Sequence, residues 1–165
     1  MAEILDVQPE LQHELVLARI LDAPRESVYR CWTEPTLFPK WFCPAPWSVA
    51  RAELDVRPGG ACNVTMRSPE GEEFPNPGVY LEVVPKEKLV FTDAYGAAWE
   101  PSEKPFMTAI VTFEDAPGGK TRYVARARHW NAEDRKAHEA MGFHEGWGQV
   151  AEQLEALAKS LAAAA

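Results

Sequence analysis

The sequence predicts an α+β domain in which a curved antiparallel sheet of about six or seven strands closes over a long C-terminal helix. Two observations carry this. From residue 47 to residue 129, short runs of alternating apolar and polar side chains follow one another with turn signals between them, and no crossover of a dozen or more residues separates them. Beyond Asn131 the chain contains no proline and is rich in Ala, Glu, Leu and Lys, so it reads as helix to its end. Strands grouped together and bracketed by helices, rather than alternating with them, define the class.

The elements follow in order. Residues 14–21 are rich in apolar and branched side chains and lead into Asp22-Ala23-Pro24, a strand ending in a turn. Pro24 suits the first turn of a short helix in which Val28, Cys31 and Trp32 recur at helical spacing before Pro35 breaks it. Pro35, Pro39, Pro44 and Pro46 then punctuate an aromatic stretch of Phe38, Trp41, Phe42 and Trp47, where no more than one or two helical turns fit. Residues 47–56 and 61–67 form a hairpin across Arg57-Pro58-Gly59-Gly60, and Ser68-Pro69-Glu70-Gly71 opens the next turn. Residues 78–84 and 88–95 pair across Pro85-Lys86-Glu87, residues 96–105 form a loop, and residues 106–114 and 121–129 pair across Pro117-Gly118-Gly119.

Asn131 is placed as the N-cap of the final helix, with Glu133 and Asp134 in its first turn. At 100° per residue, Ala137, Ala140, Met141, His144, Trp147, Gly148, Ala151, Leu154, Ala158 and Leu161 share one broad face, opposite Gln149, Gln153 and Ser160. The closing run of alanines reads as fraying helix.

A chain of 165 residues with 46% hydrophobic content is expected to form one domain over residues 1–165. Its formal charge of -8 opposes phosphate backbones, so nucleic acid is not an expected partner. Arg122, Arg126 and Arg128 share one strand face and read as solvated. Eighteen consecutive apolar residues occur nowhere, and the N-terminus lacks the basic and apolar regions of a signal peptide. The expectation is a cytoplasmic protein without membrane insertion. Cys31, Cys43 and Cys62 are odd in number and lack zinc or redox spacing, so buried thiols are expected rather than disulfides or a metal site. Nucleophile elbow, phosphate loop and dinucleotide fingerprint are absent, and no cofactor is expected.

Ala23-Pro24, Trp32-Thr33-Glu34-Pro35, Trp41-Phe42, the run from Asp55 to Gly60 and Met141-Gly142-Phe143-His144-Glu145-Gly146-Trp147 occur in an order that resembles the START-related SRPBCC superfamily. Within it, the chain is similar over about residues 14–160 to the bacterial proteins named for homology to the activator of the ninety-kilodalton heat-shock chaperone ATPase. The resemblance implies a helix-grip fold with an internal cavity. It does not carry one activity, because the superfamily includes lipid carriers, polyketide cyclases, hormone receptors and co-chaperones.

The candidate site is a cavity between the sheet and the final helix. Gly148 leaves room on the helix's apolar stripe beside Met141 and His144, while His129 alternates with Tyr123, Ala125 and Ala127 on the strand face assigned inward. His129 and His144 would then meet one cavity, orienting a carbonyl or phenol or exchanging protons near neutral pH. Tyr80 is a further proton donor, and Trp41 and Phe42 form the rim. Gly142 and Gly146, four apart on another helix face, suit close approach by a loop or by a second copy in a homodimer. Three functions are open: a non-catalytic binder of a small hydrophobic molecule, a cyclase or aldol-type enzyme using the same cavity, and a chaperone-regulating interaction module.

Overall fold

The computed structural model describes residues 2–164. It has nine strands in two sheets. The larger sheet has the order β1-β2-β9-β8-β7-β6, all antiparallel, formed by β1 (Glu3–Ile4), β2 (Glu14–Leu21), β6 (Val79–Val84), β7 (Lys88–Thr92), β8 (Thr108–Ala116) and β9 (Lys120–Arg128). The smaller has the order β3-β4-β5, with β3 (Ser48–Leu54), β4 (Cys62–Arg67) and β5 (Glu73–Asn76). The single sheet expected from the sequence is thus two. A seam joins them: the Gly59 N–H donates to the Tyr80 carbonyl at 2.8 Å, the Tyr80 N–H to Gly60 at 3.0 Å and the Cys62 N–H to Gly78 at 3.0 Å. Gly78 is required here, because a Cβ at that position would lie 2.7 Å from the Thr92 carbonyl oxygen. β5 fell within a region read as turn because it contains Pro75 and is exposed along its whole length, with no alternation to betray it.

Helix α1 (Arg25–Thr33) follows Pro24 directly and buries Ser27, Val28, Cys31 and Trp32, the face its spacing predicts. A 3₁₀ turn, Phe38–Lys40, occupies the proline-rich stretch. The expected single C-terminal helix is two, α2 (Ala132–Ala140) and α3 (Phe143–Ala164). Asn131 caps α2 by accepting the Asp134 N–H at 2.8 Å. Gly142, at φ +91°, breaks the chain between the helices, a conformation nearly free of cost only for glycine. The break resets the helical phase. Carried through it, the 100° step places Ala137, Ala140, Met141 and His144 inward, whereas all four are exposed. His144, in the first turn of α3, is exposed although it shares the angular position of Ala151; further along α3 the step holds, and Ala151, Leu154 and Ala158 are buried. The alanines up to 164 are helical, and Ala165 lies outside the described residues.

α3 packs on α1 and β2, and its Phe143, Ala151, Leu154 and Ala158 join Leu15, Leu17, Leu21, Ala125 and Ala127 in the core. On the sheet above this contact, Glu14 is fully buried and its carboxylate accepts from Arg126 Nη1 at 2.8 Å, Arg128 Nε at 2.7 Å and the Glu10 N–H at 2.8 Å. Arg126 and Arg128 are therefore not the solvated pair expected from their spacing; Arg122, by contrast, makes only an exposed contact with Glu114 at 3.7 Å. Cys31 and Cys43 are buried free thiols and Cys62 is half-buried. Among the described residues no helix is long and apolar enough to cross a membrane.

Candidate functional site

The aromatic segment after α1 is held in place before any ligand is considered. The Trp41 indole N–H donates to the Cys31 carbonyl at 2.8 Å. From α3, the Gln153 amide donates to the carbonyls of Trp41 at 2.7 Å and Cys43 at 2.8 Å, and its oxygen accepts the Ala45 N–H at 3.2 Å. Trp32 then lies 4.9 Å from Trp41, 5.8 Å from Phe42 and 5.7 Å from Phe91, ring centre to ring centre, with Phe38 and Phe42 stacked at 4.4 Å. Edge-to-face and tilted rings of this size do not fill space completely.

A cavity of about 50 Å³ remains between these rings and the seam of the two sheets. Its floor is buried and consists of Trp32, Phe38, Val64, Gly78, Tyr80 and Thr92. Its mouth carries the half-buried Phe42, Cys62, Phe91, Asp93, Phe106 and Met107 and the exposed Asn76 and Pro77. No residue of α2 or α3 lines it.

The polar groups of this wall are mostly committed. Burial pushes the Tyr80 phenol far above its ordinary range, and the neighbouring Cys62 thiol raises it further. Burial likewise pushes Cys62 up to about 11. The Asp93 carboxylate accepts from the Phe106 N–H at 2.8 Å and the Met107 N–H at 3.1 Å, closing the base of the loop between β7 and β8. The Thr92 hydroxyl receives a hydrogen bond from Thr108 at 2.9 Å. Trp32 Nε1 is buried and makes no close hydrogen bond; its polar neighbour is the Tyr123 hydroxyl, which does not line the cavity. No Lys, Arg or His lines the cavity.

Of the residues expected to line a cavity, Phe42 and Tyr80 do so. Trp41 lies behind the wall, locked to Cys31, and Tyr123 is buried in the core beside Phe113 at 6.1 Å. Met141 is 73% exposed, because the break at Gly142 turns it outward. His144 is exposed as well, with Nε2 3.5 Å from Glu139. Gly148 faces β2, where a Cβ would lie 3.2 Å from Arg19 Nη2 and 3.9 Å from Leu17 Cδ1, so the space beside it is occupied by these side chains rather than open to a ligand.

His129 does meet a histidine, but it is His138. Its Nδ1 faces the His13 carbonyl at 3.2 Å and so carries the proton, leaving Nε2 to accept from His138 Nδ1 at 2.9 Å. Phe106 and Phe143 pack on the His138 ring at 4.6 and 5.1 Å. Burial lowers both histidines, His138 to about 4, and keeps the pair neutral. The wall residues that sequence reasoning passed over are chiefly Trp32, Cys62, Val64, Phe91 and Met107. Trp32 carried a signal, the inward spacing with Val28 and Cys31; Cys62, Val64 and Phe91 lie on strands whose partners the sequence does not name, and Met107 lies just before β8.

A curved sheet gripping a long C-terminal helix, with a small apolar cavity at one end, defines a helix-grip protein. The family model for activator of Hsp90 ATPase homolog 1-like proteins matches residues 22–159, and the chain belongs to that family. A crystal structure of a protein from Nitrosomonas europaea, 43% identical, covers 95% of this chain and 99% of its own with a TM-score of 0.88. A protein from Mycobacterium smegmatis, 24% identical over 93% of this chain and 96% of its own, has a TM-score of 0.77, and the AHSA1-like protein from Aeromonas hydrophila, 16% identical over 89% and 94%, one of 0.66. These last two share the fold. No curated protein matches the chain.

Proposed function

We propose that the protein binds a small, largely apolar molecule in the cavity between α1, the adjoining 3₁₀ turn and strands β4, β6 and β7, and releases it chemically unchanged. The observation that carries this reading is the character of the wall: aromatic and aliphatic on most sides, with no group that exchanges protons near neutral pH. Tyr80 and Cys62 are held in their protonated forms by burial, Asp93 is tied to two backbone amides, and the histidines lie elsewhere. This speaks against the cyclase or aldol reading. The chaperone connection in the family's name is not needed for it.

At about 50 Å³ the cavity is smaller than the roughly 300–1,000 Å³ of pockets that enclose drug-sized ligands. A ring-sized molecule enters by displacing Phe42, Phe106 and Met107, which are half-buried, while the fully buried floor stays in place. The reading places this binding in the cytoplasm. It also allows two chains to pair across the α3 face that carries Gly146, where an added Cβ would meet open space.

Native mass spectrometry of freshly purified protein tests the reading. A bound small molecule is expected on the wild type and absent from Val64→Phe, whose larger side chain fills the cavity at an overpacking cost of about 1–3 kcal/mol. A folded Val64→Phe protein that retains the molecule would contradict it.

A further inference from the structure

At about 50 Å³ the cavity admits a ring only if its mouth gives way, and the half-buried aromatic side chains there are not equally free. Phe42 is stacked on Phe38 at 4.4 Å and stands edge-on to Trp41 at 5.5 Å, in the segment that Gln153 fastens. Phe91 lies within β7, paired with Tyr80 on one side and Ala109 on the other. Phe106 stands outside any strand, and among the described residues its ring meets other rings only at His138, 4.6 Å away, and His129, 6.2 Å away. The Asp93 carboxylate holds the Phe106 N–H at 2.8 Å, so the ring rather than the main chain has to move.

What Phe106 packs on is fixed. His138 donates from Nδ1 to His129 Nε2 at 2.9 Å. His129 is held in turn by the His13 carbonyl, which accepts its backbone N–H at 2.8 Å and faces its Nδ1 at 3.2 Å. From α3, Phe143 and Trp147 pack on the His138 ring at 5.1 and 6.3 Å. His138 is also the one buried residue of α2, which ends at the positive-φ Gly142. This helix thus bears on the cavity mouth through a single ring, although none of its residues lines the cavity. To clear the mouth, Phe106 must change its packing on His138, and close-packed rings have no empty space into which to yield.

We infer that His138 is a positioning residue for Phe106 and through it sets the size of ring that the cavity admits. A one-ring ligand needs only small movements of Phe106. A fused two-ring ligand presses Phe106 onto His138, and this overpacking cancels part of the affinity that its larger apolar area would bring. The inference rests on the cavity reading above and adds the ligand's size class to it.

Acetophenone and 2-acetylnaphthalene share a head group and differ by one fused ring, so the ratio of their dissociation constants isolates ring size. Each is titrated into the ¹⁵N-labelled full chain, with the Phe106 and Met107 amides reporting occupancy. In His138→Ala the ratio of acetophenone to 2-acetylnaphthalene is expected to rise about tenfold, because Phe106 gains room to retreat. In His138→Phe, which keeps a ring against Phe106, it stays at the wild-type value. Both variants lose the bond to His129, so a role in stability alone would leave the ratio unmoved in either. An unchanged ratio in folded His138→Ala, or an equal rise in both variants, overturns the inference and leaves the cavity as a binding site. The wild type gives a second reading where His138→Ala folds poorly. Among the four histidines, the imidazole signal lost in His138→Phe should shift with 2-acetylnaphthalene, and less with acetophenone. That signal standing still while the Phe106 and Met107 amides respond to 2-acetylnaphthalene overturns the inference too. If neither probe perturbs those amides, the inference and the cavity reading fall together.

Discussion

The contact of α3 with β2 and the place where Trp32 of α1 and the 3₁₀ turn face β4, β6 and β7 use side chains of the same apolar kind and end differently. At the first, small residues bring helix and strand together: the Cβ position of Gly148 is already 3.2 Å from Arg19, and Ala151 and Ala158 are fully enclosed. The buried polar groups of the neighbouring strands are paired, Glu14 with two arginines and His129 with His138. At the second, five large rings meet at centre distances of 4.4–5.9 Å and leave a cavity. The lesson is that small residues on a covering helix close space, because the helix moves in over them. Rigid rings anchored from behind cannot collapse in that way.

The largest effect that tests this contrast is at Glu14. Glu14→Ala leaves two partly buried guanidinium groups without their shared carboxylate, and a loss of about 3–5 kcal/mol in urea denaturation is expected. A loss below about 1 kcal/mol would mean that the tight side of the molecule does not depend on its paired charges. The acid dependence is next in size. His138 is depressed to about 4 from 6.5, so the unfolded chain takes up a proton below pH 6.5 that the folded chain refuses until about pH 4. Stability is complete above pH 6.5 and falls by roughly 2 kcal/mol on the way to pH 4.5. Glu14 is buried, which alone would raise it, but the bonds from Arg128, the Glu10 amide and Arg126 prevail and lower it; its contribution is lost only as pH falls below the ordinary 4.5. The interval from pH 6.5 to 4.5 therefore belongs to the histidine pair, and His138→Phe should flatten it in denaturation series across pH. An unchanged slope would refute this assignment.

The smallest effect is at Gly148. Gly148→Ala regains about 1 kcal/mol of helix propensity and meets only the mobile end of Arg19, so stability should change by no more than about 1 kcal/mol, with ligand binding untouched. Loss of binding in that variant would return the site to α3.

That last residue shows what the sequence made legible and what it did not. Alternation and turn chemistry placed β2, β3, β4 and β6 to β9 within a few residues, and the spacing of Val28, Cys31 and Trp32 identified the buried face of α1. The helical step failed at Gly142, since one residue at positive φ discards the phase on which Ala137, Ala140 and Met141 were placed, while His144 is exposed in the first turn of α3 beside Glu139. The site was half legible for a related reason. Phe42 and Tyr80 announce themselves as aromatic and inward, but a cavity is defined by which strands meet, and the seam between β4 and β6 depends on the Gly78 and Tyr80 backbone rather than on any side-chain pattern. Gln153, facing away from the apolar stripe, looked solvated, yet it fastens the segment that forms the wall.

The central claim is that the binding site is at the α1 end and not beneath α3, and two methionines mark the two places. Met107 lines the cavity mouth, and Met141 stands exposed at the break between α2 and α3. Titrating ¹³C-methyl-methionine protein with 2-acetylnaphthalene reads both in one spectrum. A saturable shift of the Met107 methyl with Met141 unmoved is the result expected; a saturable shift of Met141 with Met107 unmoved would contradict the account.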